Sequence, residues 1–131
     1  MNGCVLDTDV VIAALDRSDA NHRAAARVLK RMVGDGTSLQ LSLVNYAEAL
    51  VRPAEDPAMM RSATRAVDAL GIELVAPTRV IARDAAALRG GGISLADGFA
   101  IATARARGTG VASFDKRVRR AVRRLGVELA P

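Results

Sequence analysis

The sequence predicts an α/β fold in which a central, mostly parallel sheet of about five strands is covered on both faces by helices. Short runs rich in β-branched and aliphatic residues recur at 4–6, 39–43, 72–75, 110–113 and 127–129. Longer segments of helical patterning separate them, and strands alternating with helices pair in parallel under a helical layer on each side. Glycine and proline fall at the junctions, where helices stop.

In chain order, the first strand ends at Asp7, which opens a helix over 8–15. The second helix spans 20–33 and stops at Gly34 and Gly36. Strand two runs into a helix over 43–52, which starts near Ser42 or Asn45 and is closed by Pro53. A helix over 57–70 ends at Gly71, ahead of strand three. A helix over 78–89 runs into Gly90–Gly92, after which Ser94 caps a helix over 94–107 that Gly108 closes. Strand four leads to Asp115 and a helix over 115–125, whose Val118, Ala121, Val122 and Leu125 are spaced for one buried face. Gly126 then precedes the last strand. No repeat, low-complexity segment or dividing linker appears, so residues 1–131 are read as one domain.

Half the residues are apolar and a quarter are charged, a globular balance. No apolar run reaches the roughly 20 residues that cross a bilayer, because Asp7, Asp9 and Asp16 break the most apolar stretch. No Lys or Arg precedes Arg17, so the basic start of a signal peptide is missing. Cys4 is the only cysteine and has no partner within the chain, which suits a reducing cytoplasm. The formal net charge is +5, carried almost wholly by Arg, with Lys only at 30 and 116. Guanidinium groups fork onto phosphate oxygens and stack on bases, so the balance favours a polyanion partner such as RNA.

Four acids sit at the edges of apolar segments: Asp7 in VLDTDVVIAAL, Glu48 in NYAEAL, Asp97 in SLADGFAIATA and Asp115 in VASFDKR. Asp7 and Asp115 follow strands one and four, at the carboxyl ends where open parallel sheets form their ligand crevice. Each acid alone fits a capping role, and Ser94 with Asp97, or Asn45 with Glu48, has the spacing of a capping box. Together, four carboxylates bordered by apolar residues repel one another unless a cation offsets the charge. Mg²⁺ or Mn²⁺ suits such oxygen ligands, whereas Cys4 and His22 match no zinc motif. A carboxylate-held metal activates water against a phosphodiester without a Ser, Cys or His nucleophile.

The succession LDTDVVIA, NYAEAL, SLADGFAIATA and SFDKR resembles the PIN domain, and more narrowly the VapC-type toxins of bacterial toxin–antitoxin pairs. The resemblance spans essentially the whole chain. It implies a PIN-like three-layer sandwich and a metal-dependent endoribonuclease, cutting structured RNA such as tRNA or rRNA to leave a 5′-phosphate and a 3′-hydroxyl. By position, Asp7 and Asp97 would be the principal ligands of Mg²⁺, with Mn²⁺ able to substitute. Asp115 would complete the shell directly or through water, and Glu48 would orient or deprotonate the attacking water. Ser113 would position the last acid or a water held by the metal. The resemblance also implies a homodimer and a groove for a VapB-type antitoxin whose basic side chain enters the acidic site.

Several residues carry two readings. Asp9, where many relatives have Asn, either adds to metal binding or caps the next helix. His22 is a candidate RNA contact or an ordinary exposed helix histidine, and Tyr46 either stacks on a base or fills the core. Arg117, Arg119, Arg120, Arg123 and Arg124 form a solvated face or a phosphate track toward Asp115, with Arg117, Arg120 and Arg124 the candidate contacts. Two other functional classes compete. In a haloacid-dehalogenase-like phosphatase, Asp7 would be the nucleophile and Asp9 the acid, but Lys116 fits that pattern poorly and no adjacent acid pair follows. In a non-catalytic RNA-binding or interaction module, the acids would only cap helices.

Overall fold

The computed structural model describes all residues, Met1–Pro131. The elements run β1 (Gly3–Leu6), α1 (Thr8–Leu15), α2 (His22–Gly34), β2 (Ser38–Ser42), α3 (Leu43–Ala49), a 3₁₀ turn (Pro53–Glu55), α4 (Pro57–Ala69), β3 (Glu73–Val75), α5 (Arg79–Gly90), α6 (Leu95–Arg107), β4 (Gly110–Ala112) and α7 (Lys116–Arg124). The four strands are parallel in the order β3-β2-β1-β4. The strands that precede Asp7 and Asp115 are therefore neighbours, in register Cys4–Gly110, Val5–Val111 and Leu6–Ala112.

Alternation along the strands divides the core between the two faces. Cys4 and Leu6 of β1 and Leu39 and Leu41 of β2 pack on one side with apolar residues of α1, α2, α3 and α4. Val5 and Val111 point to the other side, against Ala100, Ile101 and Ala104 of α6 and Val118 and Val122 of α7. Successive strand residues face opposite ways, so three consecutive residues of β1 serve both cores. An outer layer follows where Ile81 and Ala85 of α5 meet Ala102 of α6. This is the expected three-layer sandwich. No helix is long and apolar enough to cross a membrane.

The expected fifth strand at 127–129 contracts to a single parallel bridge between Leu129 and Val111. Gly126, at φ +69°, closes α7 and directs the Val127 N–H to the Val122 carbonyl at 3.0 Å, so pairing begins only at Glu128. Pro131 has no N–H with which to continue it. Two bonds remain, Val111 N–H to the Glu128 carbonyl (2.9 Å) and Ala130 N–H to the Val111 carbonyl (2.8 Å).

Helix α3 also starts differently from the capping-box pattern seen at Asn45. Its cap is Ser42, whose Oγ accepts the Val44 N–H at 3.3 Å. Asn45 lies within the helix and is wholly buried.

Candidate active site

Asp7 stands where the sheet meets α1. Its backbone N–H donates to the Ala112 carbonyl at 2.9 Å, which extends the β1–β4 ladder onto the acid itself. Its side chain is buried; Oδ1 accepts the Thr8 N–H at 2.9 Å and Oδ2 accepts the Ser113 hydroxyl at 2.7 Å. Asp97 approaches from the first turn of α6, near enough for its charge to act on Asp7. The Ser94 hydroxyl fixes that turn by accepting the Asp97 N–H at 3.2 Å.

Burial pushes the Asp7 carboxyl up to about 8, and the Asp97 and Asp9 carboxylates add to the rise, against the Ser113 hydroxyl. Asp9 is also raised, first by burial, although the Phe114 and Val10 N–H groups favour its ionised form; Asp97 and Asp115 add to the rise. The rim thus gathers Asp7, Asp9, Asp97 and Asp115 into one repulsive field. Asp9 does more than face the rim. Its Oδ2 accepts the Phe114 N–H at 3.0 Å, tying α1 to the segment between β4 and α7, while its buried Oδ1 has no partner.

Asp115 caps α7, as one reading held: Oδ1 accepts the N–H groups of Arg117 (2.7 Å) and Val118 (3.4 Å). Ser113 bears on both ends of the rim, because its Oγ also accepts the Asp115 N–H at 3.1 Å. Its side-chain partner is Asp7 rather than the last acid. Glu48 is exposed on α3 and turns toward a groove that it shares with Asp16, Arg17 and Arg52. His22 is half-buried, with Nδ1 donating to the Ala13 carbonyl at 2.7 Å, so it braces the α1–α2 junction. Tyr46 packs against the larger core cluster. The buried Cys4 thiol is pushed up to about 12 by burial and by Glu128, which leaves it unreactive.

Sequence patterning missed what holds the acid-bearing helices together. Asn45 Nδ2 donates to Thr8 Oγ1 at 3.0 Å and to the Ala96 carbonyl at 3.1 Å. One side chain on α3 therefore pins the start of α1 beside Asp7 and the first turn of α6 beside Asp97. Its Oδ1 is buried without a partner. A local signal existed, since Asn45 lies four residues before the buried Ala49, on the inward stripe of α3.

No three acids lie close enough to cage a cation unaided. The donor set nevertheless fits a hard divalent ion. The buried Asp7 carboxylate has Asp97 beside it, and Asp9 presents an unpartnered buried oxygen. Mg²⁺ needs only one or two carboxylates, because it retains several waters.

An α/β protein with an acidic rim at the carboxyl ends of the neighbouring strands β1 and β4 is the class that fold and site define. Residues 4–124 match the PIN domain family, and the chain belongs to it. Solved structures with this fold include the sarcin–ricin loop cleaving toxin VapC20 of Mycobacterium tuberculosis, 19% identical with a TM-score of 0.70 over 90% of this chain and 94% of that one. FitAcB of Neisseria gonorrhoeae is 23% identical, with a TM-score of 0.67 over 98% and 96%. VapBC2 of Rickettsia felis, bound to a promoter DNA fragment, is 13% identical with a TM-score of 0.72 over 97% and 96%. A search of curated protein sequences returns no significant match.

Proposed function

We propose that this PIN domain is a metal-dependent endoribonuclease of the toxin–antitoxin type, hydrolysing phosphodiester bonds of structured RNA such as tRNA or rRNA. The observation that carries the reading is the buried Asp7 facing Asp97 beside the unpartnered Asp9 Oδ1. A buried carboxyl crowded by like charges, with an open oxygen beside it, is costly in a protein that only binds or scaffolds.

Asp7 and Asp97 would hold Mg²⁺ or Mn²⁺, with Asp115 completing the shell directly or through water. The bound ion would polarise the phosphodiester and acidify water at the rim. Ser113 keeps Asp7 Oδ2 aimed, Asn45 fixes the approach of α6, and Asp9 holds the Phe114 backbone on the rim's far side. Glu48 would take the proton of the attacking water when substrate brings that water toward α3. Membership of the PIN family removes the ground for the phosphatase reading.

The antitoxin partner finds support in the groove between α1, α3 and α4. Its volume is ≈ 370 Å³, and Ile12, Leu15, Val51 and Met59 line it with Glu48 at its edge. Ile12, Val51 and Met59 are exposed. An amphipathic antitoxin helix would cover them, and a basic side chain from it would reach the acids. A homodimer acting in the cytoplasm completes this reading.

The test is hydrolysis of a panel of structured RNAs by antitoxin-free protein with Mn²⁺, Mg²⁺ or EDTA, beside Asp7→Asn and Asp97→Asn. Metal-dependent cuts at defined sites, lost in both variants, are expected. Cleavage that survives EDTA and both substitutions would sink the proposal.

A further inference from the structure

Helix α7 distributes its arginines unequally. Arg119 is turned inward, with Nη1 donating to the Ser113 carbonyl at 2.9 Å and the Ala130 carbonyl at 3.5 Å, so it clamps the end of β4 to the final residues. Arg117, Arg120 and Arg124 recur at spacings of three and four and form one stripe. The Gly91–Gly92–Ile93 segment between α5 and α6 faces that stripe, and the six residues line a pocket of ≈ 350 Å³.

No acidic side chain pairs with the arginines of this pocket. The chain's two ion pairs are Arg105–Asp84 and Arg107–Glu73, and no acid lines the pocket. Guanidinium groups converging without a counter-charge focus a positive field on the space between them. The opposite wall is bare, since Gly91 and Gly92 have no side chains and a Cβ at Gly92 would meet no neighbouring atom. A polymer backbone can therefore approach closely and meet paired N–H donors. The location is equally specific. Arg117 lies two residues beyond Asp115, and Gly92 lies two residues before Ser94, the cap of the helix that carries Asp97. From Arg117 to Arg124 the stripe runs about 10 Å along α7, away from the rim.

We infer that this pocket is a phosphate-binding subsite for the RNA strand beside the scissile bond. It grips the backbone and not the bases, so it sets affinity and register while leaving sequence choice to other surfaces. The inference rests on the RNA substrate of the proposed function.

Binding can be read apart from cleavage by placing all variants on Asp97→Asn in EDTA. The probe is a short fluorescein-labelled single-stranded RNA, followed by anisotropy across a salt series. Replacing Arg117, Arg120 and Arg124 together with Gln is expected to lower the slope of log affinity against log salt by about 2, at roughly 0.7 per phosphate contact. Affinity at low salt should fall at least about tenfold. Gly91→Asp, which leaves α7 untouched and sets a carboxylate opposite the stripe, should reproduce much of that loss, and Arg123→Gln should not. An unchanged slope in both the triple variant and Gly91→Asp overturns the subsite, even where metal-dependent cleavage persists. A reduced slope in a chain that cuts no RNA keeps the subsite and sinks the nuclease reading. A parent that binds no RNA overturns the subsite. So does a polyglutamate peptide that binds as tightly and is lost in the same variants, because the ligand would then be an acidic protein segment.

Discussion

The Ser113 hydroxyl donates to Asp7 Oδ2 across 2.7 Å, joining the end of β4 to the acid at the end of β1. The same oxygen accepts the Asp115 N–H, so one small side chain sets the first acid's orientation and the start of α7. Ser113→Ala should leave the fold intact and weaken Mn²⁺ binding by about 10-fold or more, as loss of an orienting partner behind a metal ligand does. Calorimetric titration checks this; unchanged affinity would mean that Asp7 is held by its surroundings alone.

Stability should depend on pH through Asp7. Its carboxyl rises from 3.8 to about 8, so between those values the folded chain holds a proton that the unfolded chain has released. The stabilisation is complete below pH 3.8 and is lost as pH rises through about 8. In EDTA the parent should therefore melt lower at pH 8 than at pH 5. Asp7→Asn, which keeps an oxygen for the Thr8 N–H and turns an NH₂ donor toward Ser113 Oγ but cannot ionise, should exceed the parent at pH 8 by at least about 5 °C. Equal melting of parent and variant across the range would remove the buried charge from the account. Added Mn²⁺ should narrow the gap by stabilising the parent alone.

Asn45→Ala removes the buried bond to Thr8 Oγ1 and the part-buried bond to the Ala96 carbonyl. The expected cost is about 1–3 kcal/mol, at roughly 0.5–1.5 kcal/mol per bond. Denaturant unfolding measures it. RNA hydrolysis should fall further than the loss of folded protein explains, because α6 carries Asp97 on the turn that Asn45 pins.

The glycine after Asp97 is set by packing. A Cβ on Gly98 would stand 2.9 Å from the Ala85 carbonyl oxygen and 3.4 Å from its Cα, both backbone atoms of α5 that cannot swing aside. Gly98→Ala should therefore destabilise by about 1–3 kcal/mol, despite alanine's better helix propensity. A melting temperature at or above the parent's would show that α5 shifts freely.

Most of the fold was legible in the sequence because local signals carry it. Gly71, Gly108 and Gly126 adopt the positive φ that ends helices, and Ser94, Asp7 and Asp115 cap as their spacing suggested. The acids on β1 and β4 could be placed on one rim once those strands were taken as neighbours. What stayed hidden depends on contacts between distant residues. Asn45 reaches across 37 residues to Thr8 and 51 to Ala96, and no pattern within α3 reveals either partner. Arg119 and Arg120 are adjacent in one basic run, yet one is structural and the other lines the pocket. The fifth strand was over-read because apolar residues at 127–129 look the same whether they form a ladder or one bridge.

Because the Asp7 amide is itself a rung of the β1–β4 ladder, donating to Ala112, Asp7 cannot leave the rim without unzipping β1 from β4. Its amide hydrogen should exchange with deuterated solvent only as fast as the whole molecule unfolds, like the amides of the deepest core. Asp7 is then a fixed anvil, to which any ligand of the rim has to adjust.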